Sequence, residues 1–144
     1  MQTSHISVLE GQQLAATEDD EAASMEDTDR LDIPEGVEVY EIDGPFFFGL
    51  ASRFEELEKM KKPGTKVRII RMRKVPFIDS TGINNLRNLC ERTHKRGVTV
   101  ILSGVTEKVH QSLVKFGVDL EIGSDCIFPH IVPALEKARE LASK

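Results

Sequence analysis

The stretch from Val67 to Gly82 limits this chain to a narrow set of folds. An apolar, strand-like run, Val67 to Val75, leads through Pro76-Phe77-Ile78 into Asp79-Ser80-Thr81-Gly82, and an amphipathic helix, Ile83 to Lys95, follows at once. A second apolar strand, Val98 to Leu102, comes after that helix. Parallel strands need a crossover of a dozen or more residues, usually a helix, so this order predicts a parallel pair with a helix laid over it. Val98, Val100, Ile101 and Leu102 are nearly continuous in their apolarity, as a strand buried on both faces requires.

The junction itself carries a carboxylate, two hydroxyls and a glycine. Asp79, Ser80 and Thr81 are residue types that cap helices, because their oxygens accept from the first open backbone N–H groups. The same N–H groups and the helix dipole favour a negative charge at that place, including a phosphate. Two readings stay open at this level. One is an ordinary cap, which local physics favours; the other is an anion-binding or phosphorylatable switch on an interaction surface. Ser103-Gly104 forms a second strand-to-helix turn. In open α/β sheets, ligands and partners meet the C-terminal ends of the strands. Ser80 and Ser103 are both expected there, close together if their strands are neighbours.

Around this centre the chain reads as follows. His5-Ile6-Ser7-Val8-Leu9 is either an edge strand or the end of a connector. Residues 1–36 hold ten acidic residues and one basic residue, Arg30, giving −9 against −5 for the whole chain, so residues 37–144 carry +4. The segment from Glu10 to Arg30 is poor in large apolar residues, so burial cannot offset its ordering entropy. Residues 1–36 are read as an acidic flexible linker and residues 37–144 as one domain. Val37, Val39, Tyr40 and Ile42 form a half-buried strand. Asp43-Gly44 signals a turn into Pro45-Phe46-Phe47-Phe48-Gly49, so an antiparallel hairpin is expected at one side of the sheet. Strand alternation sets Phe47 on the face opposite Phe46 and Phe48, where an exposed aromatic suits a partner or an apolar ligand. Leu50, Phe54 and Leu57 recur at helical spacing, and Pro63-Gly64 closes that helix. Arg68, Arg71, Arg73 and Lys74, in and beside the next strand, are read as a solvated rim. Gly97 is placed to end the helix after Ser80. Val109, Leu113 and Phe116 mark a further helix closed by Gly117. Val118, Leu120 and Ile122 alternate as a short extended piece. Phe128, Ile131, Val132, Leu135 and Ala138 mark a C-terminal helix.

Enzyme chemistry is not legible. There is no G-x-G-x-x-G and no P-loop, and Pro63-Gly64-Thr65-Lys66 precedes a strand rather than a helix. His5, His94, His110 and His130 lack metal-ligand spacing, so no metal or other cofactor is expected. Ser80 is not in a G-x-S-x-G elbow. Asp19-Asp20 pairs two carboxylates in a segment that cannot hold acid–base geometry. A body at +4 without a basic–aromatic array does not point to nucleic acid. Cys90 and Cys126 form no disulfide framework, and Cys90 falls among apolar helix positions. No basic-then-apolar leader and no apolar run of about 20 residues is present, so the chain as given is read as soluble.

Three segments carry a family resemblance: Ile42-Asp43-Gly44-Pro45-Phe46-Phe47-Phe48-Gly49, Phe77-Ile78-Asp79-Ser80-Thr81-Gly82, and Lys115-Phe116-Gly117 through Ile122-Gly123 to Ile127-Phe128. Together they resemble a STAS domain, the module shared by sulfate transporters and anti-sigma-factor antagonists, over roughly residues 37–141. The first and third are similar to the transporter branch. The resemblance implies an α/β fold, STAS-like (anti-sigma-factor-antagonist-like), with a mixed sheet, an N-terminal hairpin and about four helices. It implies a non-catalytic regulatory and protein-interaction domain at the cytoplasmic face of the inner (plasma) membrane, part of a multi-pass SulP-type anion transporter. Its partners would be the transmembrane domain of that transporter, encoded upstream, and another cytoplasmic regulatory protein, with a nucleotide or other anion as a further ligand. In the antagonist branch the serine after the signature aspartate is phosphorylated; that position here is Ser80. The candidate partner- or anion-binding residues are therefore Asp79, Ser80, Thr81, Gly82, Ser103, Gly104 and Phe47. The alternative is a free-standing antagonist controlled by phosphorylation of Ser80.

Overall fold

The computed structural model describes residues 5–9, 32–43 and 64–144. In chain order the described elements are β1 (His5–Leu9), β2 (Val37–Asp43), β3 (Val67–Lys74), α1 (Ser80–Lys95), β4 (Thr99–Ser103), α2 (Glu107–Lys115), α3 (Val118–Ile122), a 3-10 turn (Ser124–Cys126) and α4 (Ile131–Ala142). The strands form one sheet in the order β1-β2-β3-β4. β2, β3 and β4 are parallel, with Val37 opposite Val67 and Val67 opposite Thr99. β1 is the antiparallel edge strand, His5 opposite Asp43 and Leu9 opposite Val39. The His5–Leu9 segment is thus a strand. The second arm expected for the hairpin, Pro45–Gly49, and the helix marked by Leu50, Phe54 and Leu57 lie outside the described residues.

Strand alternation divides the core in two. Tyr40, Ile42, Ile70, Met72, Val100 and Leu102 face α1, α2 and α3, meeting Ile83, Leu86, Leu89, Val109 and Leu113. Val39, Val67, Ile69 and Ile101 face α4, meeting Ile131, Ala134, Leu135 and Ala138. Each large aliphatic side chain taken fully from water contributes roughly 1.5–3 kcal/mol, so helices on both faces are what the apolar strands require. Lys66 Nζ donates to the carbonyls of Ala142 (3.2 Å) and Lys144 (3.3 Å), a cation on the open C-terminal carbonyls of α4.

Two sequence expectations fail for physical reasons. Val118–Ile122 is a helix, not an extended piece. Val118 and Ile122 meet the core as an i, i+4 pair, while Leu120 is 81% exposed, the reverse of what alternation demands. Positive-φ glycines, Gly117 and Gly123, bound this short turn of helix.

Nor is the basic cluster of β3 a solvated rim. Arg68 and Arg71 are both 0% exposed. Arg68 Nη2 meets Glu38 Oε1 at 3.1 Å, Arg68 Nη1 donates to Thr93 Oγ1 at 3.3 Å, and the guanidinium lies 4.6 Å over the Tyr40 ring. On the other face Glu41 is buried, with Arg73 Nε at 2.9 Å, Arg71 Nε at 3.9 Å and Lys74 Nζ at 3.5 Å. Arginine suits such places, since its fixed fork of donors satisfies a carboxylate while its stem packs as an apolar group.

Removing one partner of a buried ion pair strands the other charge, at a cost of about 3–5 kcal/mol. Arg68→Ala is expected to lower the unfolding free energy by that amount in urea titration. Lys137→Ala, which breaks the exposed pair with Asp125 (3.5 Å), should change it by no more than about 1 kcal/mol.

Candidate functional site

The C-terminal ends of β3 and β4 and the starts of α1 and α2 come together at one end of the sheet. β3 ends at Lys74; Val75 N donates to Met72 O at 3.0 Å, and Val75 and Ile78 are buried. Those two anchors hold the link to α1 against the core and leave Phe77 between them 40% exposed. Asp79 is the cap of α1. Its backbone is extended and its Oδ1 accepts from Gly82 N at 2.8 Å, while Asp79 O accepts from Ile83 N at 2.8 Å. Ser80 and Thr81 are exposed at the first turn, and Gly82 is buried beneath them. The geometry satisfies the capping reading, and it also leaves both hydroxyls open to a partner or a modifying enzyme. α1 has no acidic residue in its first turn, and its last turn carries Arg92, His94 and Lys95, both in keeping with the helix dipole.

The second turn is built differently. Ser103 closes β4 opposite Arg71 and is fully buried; its Oγ has no hydrogen-bond partner among the described residues. Gly104, at φ +66, lies against the β3 backbone, where a Cβ would come within 2.6 Å of Arg73 N. The chain thus turns between two closely approaching strand ends, and only a residue without a Cβ fits. Thr106 then caps α2, its side chain accepting from Val109 N at 3.3 Å. The structure puts Asp79, Ser80, Thr81 and Gly82 together at one helix start. It sets Ser103 and Gly104 beneath the surface, beside Arg71 and Arg73. Phe47 lies outside the described residues.

Sequence reasoning missed two features here. One is the buried charge pairing, although a signal was present: Glu38 and Glu41 have the same spacing as Arg68 and Arg71, and the parallel register places them opposite each other. The other is Phe77, counted as part of a motif but not as a surface residue. The cysteines are structural: Cys90 and Cys126 are free and buried, and desolvation, with Glu121 and Glu91 adding to it, raises the Cys90 thiol from 9.0 to about 12. Among the described residues no group of three His, Cys, Asp or Glu side chains could hold a metal ion, and no helix is long and apolar enough to cross a membrane.

The sequence profile of the STAS domain matches residues 30–138. The chain belongs to the STAS family. Among solved structures it is similar to a sulfate transporter family protein from Wolinella succinogenes, at 42% identity and a TM-score of 0.72, covering 78% of this chain and 92% of that one. It is also similar to the SulP transporter STAS domain from Vibrio cholerae, at 35% identity and a TM-score of 0.70, covering 78% and 88%. The murine Solute Carrier 26 family member A9 anion transporter, in its inward-facing state, matches at 25% identity and a TM-score of 0.62, over 73% of this chain and 18% of that one. No curated protein matches the chain. A STAS domain accounts for the mixed sheet, the helices on both faces and the place of Asp79-Ser80-Thr81-Gly82 at the start of α1.

Three substitutions test this geometry. Asp79→Ala removes the cap and should cost about 1 kcal/mol, within a range of 0.5–2. Gly104→Ala must displace the Arg73 backbone as well as adopt a left-handed conformation, so its loss should exceed that of Asp79→Ala in the same urea titration. The Cys90 thiol should resist labelling by a maleimide at pH 8 in the folded protein and react once it is unfolded. A thiol whose folded pKa is raised stabilises the fold below 9, and that contribution is lost progressively as pH rises from 9 towards about 12. Cys90→Ala should flatten this alkaline loss.

Proposed function

We propose that this STAS domain is the regulatory, partner-binding domain of a SulP-type anion transporter, held at the cytoplasmic face of the membrane and without catalytic activity of its own. The observation that carries the reading is the 42% identity to the Wolinella sulfate transporter family protein over 92% of that chain. The Vibrio SulP domain and the murine anion transporter support it, the latter because the domain there accounts for less than a fifth of a much longer chain. The working site is the start of α1. Asp79 fixes the helix end, and Ser80 and Thr81 present hydroxyls to the partner. A nucleotide or other anion suits the same place, by the charge preference of a helix start.

A second reading, a free-standing antagonist in a partner-switching pathway, draws on one observation: Ser80 is exposed directly after the capping aspartate. A phosphate there adds about −1.5 to −2 charges, favoured by the helix end and opposed by Asp79. The helix-end effect is on the order of 1 kcal/mol or less at an exposed position. Modification of Ser80 therefore changes which partner docks rather than whether the domain folds.

The first test is fractionation of cells expressing the native gene, blotted for residues 37–144. A product much larger than about 16 kDa in the membrane fraction is expected. A soluble product near that mass overturns the transporter reading and favours the antagonist. In either case Ser80→Glu should leave the urea midpoint within the change expected for about 1 kcal/mol while altering partner capture.

A further inference from the structure

The direction of β1 says which end of this domain faces whatever precedes it. β1 runs antiparallel to β2, and His5 sits opposite Asp43, the last residue of β2. Its first residue is therefore at the end of the sheet where β2, β3 and β4 finish and α1 begins. Among the described residues, the surface at that end has a defined character. Phe77 stands 40% exposed with Pro76 beside it, and Lys74, Ser80 and Thr81 are exposed around them. The link is not free to fold the ring away: buried Val75 and Ile78 pin it on either side, and the Asp79 cap fixes its exit. An aromatic held out on a fixed link, rimmed by polar groups, has the form of an anchor residue.

The other large exposed apolar side chains among the described residues are Val114, Phe116 and Leu120, on α2 and α3. They sit away from that end. Arg87 Nη2 donates to Phe116 O at 2.7 Å, and Arg87 lies about 10 Å along α1 from its start. The two apolar surfaces are therefore distinct, and only the first shares an end with the arriving chain.

We infer that the transporter's own membrane domain seats on the Pro76–Thr81 end of this domain, with Phe77 as the anchor. This rests on the SulP-type reading above and assigns the partner of its site. The consequence is regulatory. A charge added at Ser80 falls inside the contact between the two parts of the transporter, so it acts on their docking directly and needs no relay through the fold.

The experiment uses the full-length native product. Phe77→Cys and, separately, Leu120→Cys are labelled with a maleimide photocrosslinker and irradiated in membranes, with the unsubstituted protein as the control for other cysteines. Burial of Cys90 and Cys126 keeps them from adding to the signal. The expected result is a crosslink from position 77 to a peptide of the membrane domain, at least several-fold more abundant than any from position 120, and reduced several-fold by Ser80→Glu. A membrane-bound product that crosslinks from position 120 and not from 77, or from neither, overturns this inference and leaves the transporter reading standing. A product of about 16 kDa with no membrane segment removes that reading and this inference with it.

Discussion

The pairing of Glu38 with Arg68 (3.1 Å) and of Glu41 with Arg73 (2.9 Å) ties β2 to β3, and the rest of the domain is hung on those two strands. Side chains alternate along a strand, so residues three apart face opposite ways. Glu38 and Arg68 therefore meet on one face of the sheet and Glu41 with Arg71 and Arg73 on the other, and both sets must find their partners at once. A slip of one residue would bury four charges without partners, besides turning the apolar set outward. Apolar burial supplies most of the stabilisation, and the paired charges specify the same register.

That register decides the site. With β2 and β3 locked, β4 pairs on the far side of β3 and brings Gly104 against the Arg73 backbone. Arg73 in turn reaches back to Glu41. A chain of contacts thus runs from β2 through β3 to the turn after β4, with no side chain interposed at Gly104. At this end of the sheet Phe77, Ser80 and Thr81 are exposed, while Ser103 is buried.

The architecture was legible because its signals are periodic and local. Apolar β3 and β4 separated by the stripe Ile83, Leu86, Leu89 and Cys90 admit few arrangements, and the cap at Asp79 marks its helix start by residue type alone. What could not be read depends on which face meets which neighbour. Val118, Leu120 and Ile122 fit alternation on paper, and only tertiary packing shows Leu120 facing solvent. Arg68 and Arg71 look like surface residues until their register partners are known. The exposure of Ser80 against the burial of Ser103 was beyond sequence reasoning for the same reason: both follow an apolar strand, and only the approach of Gly104 to Arg73 separates them.

The edge strand has a consequence for how the domain is assembled. β3 and β4 are joined by 24 residues, most of them in α1, which packs on the sheet. β1 joins β2 through a connection of 27 residues, from Glu10 to Gly36, and among the described residues has a neighbouring strand on one side only. Closing that loop carries an entropy cost that grows with its length, and a strand with a single neighbour recovers fewer contacts in return. Among the described strands β1 has the fewest neighbouring elements, so it is the one expected to open first. Where the chain continues upstream, tension on it is taken first by this strand, which makes β1 the mechanical fuse between the domain and whatever pulls on its beginning.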